Sequence, residues 1–154
     1  VKVILLQGIS GSGKTTYAQK LLQQAIDGCR PCWVISADDY FMVQTPGGPQ
    51  YRYDWTKLQE AHDQCFARYW ELLHGEDSGT IIVDHTQTKF HELEPYWQAA
   101  QHHGWPVEIH RLSCSVEVAA QRNIHRVPLE SVARQATRLQ QMKLPGGWIV
   151  REIT

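Results

Sequence analysis

Long apolar runs, a sizeable net charge and clustered cysteines are all missing from this chain of 154 residues. No stretch approaches the roughly 20 consecutive apolar residues that a bilayer span requires, which excludes a membrane-spanning helix. The formal net charge is −1, so no global field draws the chain to nucleic acid. Any such contact must come from a local basic patch, helped by some of the 8 histidines. The four cysteines Cys29, Cys32, Cys65 and Cys114 are scattered, and free thiols in a reducing compartment are expected. The pair Cys29-Arg30-Pro31-Cys32 has no second CxxC and precedes a strand, so it reads as a turn into that strand. His102-His103 and the other histidines lack ligand spacing with any acid or thiol, which argues against a structural metal site. Internal repeats and low-complexity tracts are absent. Val1-Lys2-Val3 already reads as the start of a strand, not as a charged leader before an apolar signal. A cytoplasmic single domain is expected, with 42% hydrophobic residues to build its core.

What is present is concentrated near the amino terminus. Residues 8 to 15 read Gly8-Ile9-Ser10-Gly11-Ser12-Gly13-Lys14-Thr15, a complete G-x-x-x-x-G-K-[ST] loop. It follows the apolar run Val3-Ile4-Leu5-Leu6 and opens onto Tyr17, Ala18, Leu21, Leu22 and Ala25 at helical spacing. Glycines in such a loop let successive N–H groups turn inward around a polyphosphate. Lys14 then reaches the β and γ phosphates, and the Thr15 hydroxyl is placed to ligate Mg²⁺. Gly8, Ser10, Gly11, Ser12, Gly13, Lys14, Thr15 and Thr16 are the expected binding residues for ATP or GTP.

Strands and helices alternate along the rest of the chain. Strands are predicted at about 2–7, 33–36, 80–84 and 106–112, with a short last one at Trp148-Ile149-Val150. Helices are predicted from the loop to about Ile26, from about Trp55 to His74, through Phe90, Leu93, Trp97 and Ala100 to Gly104, from Val116 to about Arg126, and from Pro128 onward. Gly28 is expected to close the first helix, and Thr45-Pro46-Gly47-Gly48-Pro49 to form a mobile loop without regular structure. The partial alternation of Val107 and Ile109 with Glu108 and His110 predicts a strand nearer the sheet edge. This pattern is that of an α/β fold: a P-loop kinase-type parallel sheet of four to five strands, helices on both faces, and a helical lid at about 116–128. Ligands of such sheets bind at the carboxyl ends of the strands, where the loop, Asp38-Asp39 and Asp84-His85 all fall.

Phosphoryl transfer needs a group to deprotonate the acceptor, a metal environment, and cations for the charge on the moving phosphate. Asp38 and Asp39 follow the second strand. A turn sends adjacent side chains apart, so one of them, Asp38, is expected to be the base, with capping of the next turn as the alternative. Asp84 closes an apolar strand like a Walker B acid, either holding a Mg²⁺-bound water near Thr15 or hydrogen bonding to the loop. Arg122 and Arg126 stand four apart and are expected on one helix face as lid cations; Arg134 and Arg138 form a second such pair, read as a solvated face. Tyr51 and Arg52, in Gln50-Tyr51-Arg52-Tyr53, suit stacking on a base, and His85 and Thr86 lie where substrate would pass.

With these residues the chain resembles the kinase module of the phage-type polynucleotide 5′-hydroxyl kinases and related stand-alone, AAA-labelled P-loop ATP-binding proteins. The likeness runs through GISGSGKT at 8–15, Asp38-Asp39-Tyr40, the strand IIVD with Thr86-Gln87, Gly104-Trp105, and Arg122-Asn123 followed by Arg126-Val127-Pro128. It implies transfer of the ATP γ phosphate to the 5′-OH of RNA or DNA, with Asp38 as base, Lys14 and a lid arginine on the phosphates, and Thr15 on Mg²⁺. Two positions depart from that family. Phe41 stands where the phage kinases carry an arginine that contacts substrate phosphate, and His85 stands where they carry an acid, with Asp84 one place earlier. A small-molecule kinase, for a nucleoside, sugar or nucleotide-sugar in the manner of zeta-type toxins, and a nucleotide-binding switch without turnover are the alternatives. No phosphatase or ligase module fits in the remaining length.

Overall fold

A computed structural model of the chain describes residues 1–86, 88–122 and 126–154. The first strand, β1 (Lys2–Gln7), is buried from Val3 onward, and its side chains divide between two cores. Val3 and Leu5 enter one cluster, Ile4 and Leu6 the other. A strand covered on both faces has no solvent side to mark with polar residues, so its sequence is continuously apolar. Helix α1 (Lys14–Asp27) covers the Ile4 and Leu6 face through Ala18, Tyr17 and Leu21.

Gly28 caps α1 at φ −89°, so it is not the left-handed residue of this turn. That role falls to Cys29, at φ 53°. Its N–H reaches Ile26 O at 3.0 Å and that of Arg30 reaches Ala25 O at 2.8 Å, the paired bonds of a Schellman ending. Strand β2 (Cys32–Ile35) leads through Ser36 into a single 3₁₀ turn, Ala37–Phe41. The expected loop at 45–49 is instead the tip of an antiparallel hairpin, β3 (Met42–Thr45) with β4 (Gly48–Tyr51). Pro46-Gly47 makes the turn, Gly48 takes φ 105°, and Pro49 is accommodated because a two-stranded ribbon is all edge.

Helix α2 (Leu58–Gly75) follows a 3₁₀ turn at Trp55–Lys57 and buries Ala61, Cys65, Tyr69, Leu72 and Leu73. Leu58, at the start of the helix, is exposed. Then come β5 (Thr80–Asp84), α3 (Phe90–His102) and β6 (Val107–Leu112). The last elements are α4 (Val116–Arg122), α5 (Leu129–Gln141) and β7 (Ile149–Ile153). The main sheet has the order β2-β5-β1-β6-β7, parallel throughout. Helices α2 and α3 cover the Val3 and Leu5 face. Helices α4 and α5 form a third cluster with Ile9, Ala119 and Val132 beside the phosphate loop.

Strand β6 lies one place in from the β7 edge, and its alternation has another cause than exposure. Glu108 and His110 are buried. His110 links the Tyr17 hydroxyl at 2.7 Å to Glu108 at 2.8 Å, and Arg151 and Lys2 close on the same carboxylate at 3.1 and 3.3 Å. Against the burial, which pushes it up, these partners hold the Glu108 carboxyl down to about 2.

Candidate functional site

The chain leaves β1 and wraps into α1 through the glycine-rich loop, and each conformational demand can be traced. Gly11 and Gly13 take φ 84° and 96°. A Cβ on Gly11 would also come within 2.1 Å of the Ala119 carbonyl oxygen, so α4 approaches the loop closely enough to require glycine there. The loop is tied to its surroundings by Gly8 N–H to Thr86 O at 3.2 Å and by Ser10 N–H to Gln135 Oε1 of α5 at 2.8 Å. The buried Lys14 ammonium donates to Ile9 O at 2.9 Å, and burial lowers its pKa to about 8. Ser12 Oγ is buried and, among the described residues, has no hydrogen-bond partner. A desolvated cation and an orphaned hydroxyl inside a glycine cradle fit a polyphosphate.

The Thr15 hydroxyl donates to Asp84 Oδ2 at 2.9 Å. Burial raises the Asp84 pKa, opposed by that bond and by Lys14. This oxygen-donor pair at the end of β5 is the chemistry that suits a hard divalent cation.

Ser36 sets how the two adjacent acids face the site, Asp38 lining both of its cavities and Asp39 only one. Its Oγ accepts from Asp38 N–H at 3.2 Å while Asp39 Oδ2 accepts from Ser36 N–H at 3.2 Å, a reciprocal capping box. Asp39 is thereby turned back onto the chain, and burial raises its pKa. Asp38 projects into the site, where the Tyr51 hydroxyl donates to Oδ1 at 3.0 Å. Burial, then Asp38, push the Tyr51 hydroxyl up.

His85 holds this turn from below. It is buried, and Nε2 accepts the Ala37 N–H at 2.9 Å, with Cys65 Sγ at 3.3 Å from the same nitrogen. Burial lowers its pKa to about 3, so the ring is neutral with its proton on Nδ1. The residue expected to contact substrate lines the phosphate-loop cavity, while its Nε2 is engaged by the backbone of the Asp38 turn.

Two cavities meet at these residues. A cleft of ≈ 910 Å³ follows the phosphate loop past Thr16, Tyr17 and Lys20 to Thr86, Ser113–Ser115 and Arg122. A groove of ≈ 520 Å³ runs along β2 past Met42, Tyr51 and Arg68. Thr15, Asp38 and Asp84 line both.

Other expected site residues separate. Arg122, the last described residue of α4, lines the cleft, whereas Arg126 is exposed, takes φ 53° and is not among the described residues that line it. The pair therefore does not share a helix face. Positions 123–125 of the expected lid, and Gln87 and Asn123 of the resemblance, lie outside the described residues. Arg52 is exposed, donates to Gln50 Oε1 at 3.2 Å and lines neither cavity. Sequence reasoning missed Ser113–Ser115, Arg68 and Gln135. The first follow the carboxyl end of β6, where the rule for parallel sheets would have found them; helix-face charges such as Arg68 carry no such signal.

The model of the AAA domain family matches residues 3–144. The chain belongs to that family. It is a P-loop kinase-like AAA domain, and its five-stranded parallel sheet flanked by helices matches the P-loop kinase fold. YLP motif-containing protein 1 of Homo sapiens is 23% identical over 149 residues, covering 87% of this chain; the chain spans only 7% of that protein's length. Among solved structures, Chaetomium thermophilum Kti12 in complex with ADP-AlF3 has a TM-score of 0.61 at 16% identity over 97% of this chain and 88% of that one. A sugar kinase from Janibacter sp. HTCC2649 reaches 0.61 at 18% identity, covering 99% and 84%. A chain of the Pnkp1/Rnl/Hen1 complex reaches 0.58 at 18%, covering 79% and 38%. At these identities the likeness is one of fold. Among the described residues no helix is long and apolar enough to cross a membrane.

Proposed function

We propose that this AAA domain is an ATP-dependent phosphotransferase that moves the γ phosphate to the 5′-hydroxyl of a polynucleotide. The observation that carries this is the position of Asp38, on the wall shared by the phosphate cleft and the groove along β2. A group that only bound nucleotide would have no use for a carboxylate facing a second cavity. In the proposed step the acceptor oxygen attacks the γ phosphorus and passes its proton to Asp38. The bond from that phosphorus to the β–γ bridging oxygen breaks, and ADP leaves.

Lys14 and the loop amides neutralise the β and γ phosphates, and Arg122 faces the same cleft as the lid cation. Thr15 and Asp84 are the residues that would hold Mg²⁺, whose charge would offset that of the phosphates. Among the described residues lining the groove, Arg68 is the one cation. Phe41, at the position of the phage kinases' arginine, is buried in the core, so the proposed contact to a strand phosphate passes to Arg68 of α2. The polynucleotide acceptor rests on the motif resemblance and on the likeness in fold to a chain of the Pnkp1/Rnl/Hen1 complex. The likeness in fold to a sugar kinase, at a higher TM-score and over more of both chains, supports a small-molecule acceptor as the second reading.

The test is transfer of labelled γ phosphate from ATP with Mg²⁺ to 5′-OH RNA, 5′-OH DNA and a panel of sugars and nucleosides, with Asp38→Asn as control. Label on an oligonucleotide, lost in the variant and weakened by salt, supports the proposal. Transfer only to a small molecule selects the second reading. ATP binding without transfer to either overturns both.

A further inference from the structure

We propose that Gln135 of α5 is a positioning residue for Lys14, acting through the peptide unit that joins Ile9 to Ser10. The proposal rests on the reading of Lys14 as the cation of the bound phosphates and is independent of the acceptor to which phosphate is passed.

Val132, Gln135, Leu139 and Met142 recur at helical spacing and so share one face of α5 and its end. That face lies along the start of the phosphate loop. Val132 and Leu139 pack in one cluster with Ile9, Met142 Sδ accepts from Gln7 Nε2 at 3.1 Å, and Gln135 Oε1 accepts the Ser10 N–H at 2.8 Å. The carbonyl oxygen is the one acceptor of a glutamine side chain, so this bond also fixes which way the amide is turned.

The Ile9–Ser10 peptide is trans, and in a planar trans unit the N–H and the C=O point in opposite directions. Its N–H end faces α5. Its C=O end faces the cradle, where Ile9 O accepts the Lys14 ammonium at 2.9 Å and the Ser12 N–H at 3.1 Å, one bond for each lone pair. A single rigid plane therefore joins a side chain of α5 to the buried cation, and turning it would take the acceptor from Lys14 and Ser12 together. Gly8 and Gly11 flank the Ile9-Ser10 pair. Glycine restrains the backbone least, so the loop by itself holds this plane weakly and the hold comes from α5. Hydrogen bonds in series polarise one another, so the Gln135 carbonyl strengthens the grip of Ile9 O on the ammonium. Gln135 is not among the residues that line the cleft, and its action on bound phosphate passes through the peptide.

The experiment measures calorimetric binding of ATP and of ADP, each with Mg²⁺, to the whole chain and to Gln135→Met, Gln135→Ala, Gln135→Glu and, as control, Arg138→Met, whose side chain is exposed one turn further on. Amide hydrogen exchange at Ser10 is followed in the same proteins without nucleotide. Met and Ala at 135 are expected to weaken both nucleotides about tenfold, the worth of one hydrogen bond to a charged group, and to speed exchange at Ser10. Glu keeps the acceptor and should restore slow exchange, and the Arg138 variant should match the unaltered chain in both measurements. Unchanged nucleotide affinity in folded Gln135→Met or Gln135→Ala, fast Ser10 exchange in Gln135→Glu, or an equal loss in Arg138→Met overturns the proposal. Absence of ATP binding by the unaltered chain overturns the nucleotide site itself and this role with it.

Discussion

The hydroxyl of Tyr51, at the end of the β3–β4 hairpin, donates to Oδ1 of Asp38 at 3.0 Å. A hairpin thereby orients the proposed base, and the two residues should separate cleanly by kinetics. Asp38→Asn is expected to lower kcat by about 10²–10⁴-fold, the usual worth of general base catalysis, with little change in KM for ATP. Tyr51→Phe leaves the carboxylate in place and should lower kcat by tenfold or less. A loss of ATP affinity in Asp38→Asn would make Asp38 a metal ligand instead.

Lys14 should write its burial into the pH dependence of stability. Its ordinary pKa of 10.5 falls to about 8 in the folded chain. Between those values the unfolded chain holds a proton the folded one has lost, so stability rises with pH across that window. The slope is at most about 1.4 kcal/mol per unit. Denaturant titrations at pH 8 to 10 should show this rise in the unaltered chain relative to Lys14→Met. The same variant should lose nucleotide binding while keeping its fold.

His85 works in the acid range with the same sign. Burial lowers its pKa from 6.5 to about 3, so its contribution is complete above pH 6.5 and is lost as pH falls from there towards 3, by up to about 1.4 kcal/mol per unit. His85→Ala leaves the Ala37 N–H without an acceptor and should cost about 1–3 kcal/mol. His85→Gln restores an acceptor without the titration. Urea unfolding at pH 4.5 and 7 should find it less acid-sensitive than the unaltered chain and more active than His85→Ala.

The three arginines should divide by cavity. Arg122→Ala is expected to reduce kcat, and Arg126→Ala, whose side chain stands outside the cleft, to do so far less. Arg68→Ala should raise KM for an oligonucleotide several-fold with kcat nearly unchanged. Steady-state kinetics with varied acceptor distinguishes the three, and equal effects of Arg122 and Arg126 would remove Arg122 from its role.

What the sequence determined by itself is what depends on neighbours along the chain. GISGSGKT between an apolar strand and a helix fixed the phosphate loop, because backbone N–H groups and glycine conformations are local. The continuous apolar runs of β1 and β5 fixed a parallel sheet covered on both faces. The acid at the end of β5 and the acids after β2 then fell at the carboxyl edge by connectivity alone. Tertiary structure decided what depends on partners distant in sequence. Ser36 and Tyr51 select Asp38 over Asp39, and His85 turns inward to the Ala37 amide because α2 covers it. Glu108 and His110 read as an alternation near the sheet edge, and the structure joins them to Tyr17, Lys2 and Arg151 in one buried cluster. The hairpin at 42–51 was hidden because Pro46, Gly47, Gly48 and Pro49 break regular structure in most settings, and here they form a turn and an all-edge ribbon that need no interior strand. Arg126 left its expected helix face because its backbone takes φ 53°, outside helical geometry, whereas Arg122 reaches the cleft because α4 packs against Gly11. Charge, burial and hydrogen-bond partners are properties of the packed whole, so the position of a side chain in the sequence set its chemistry but not its orientation.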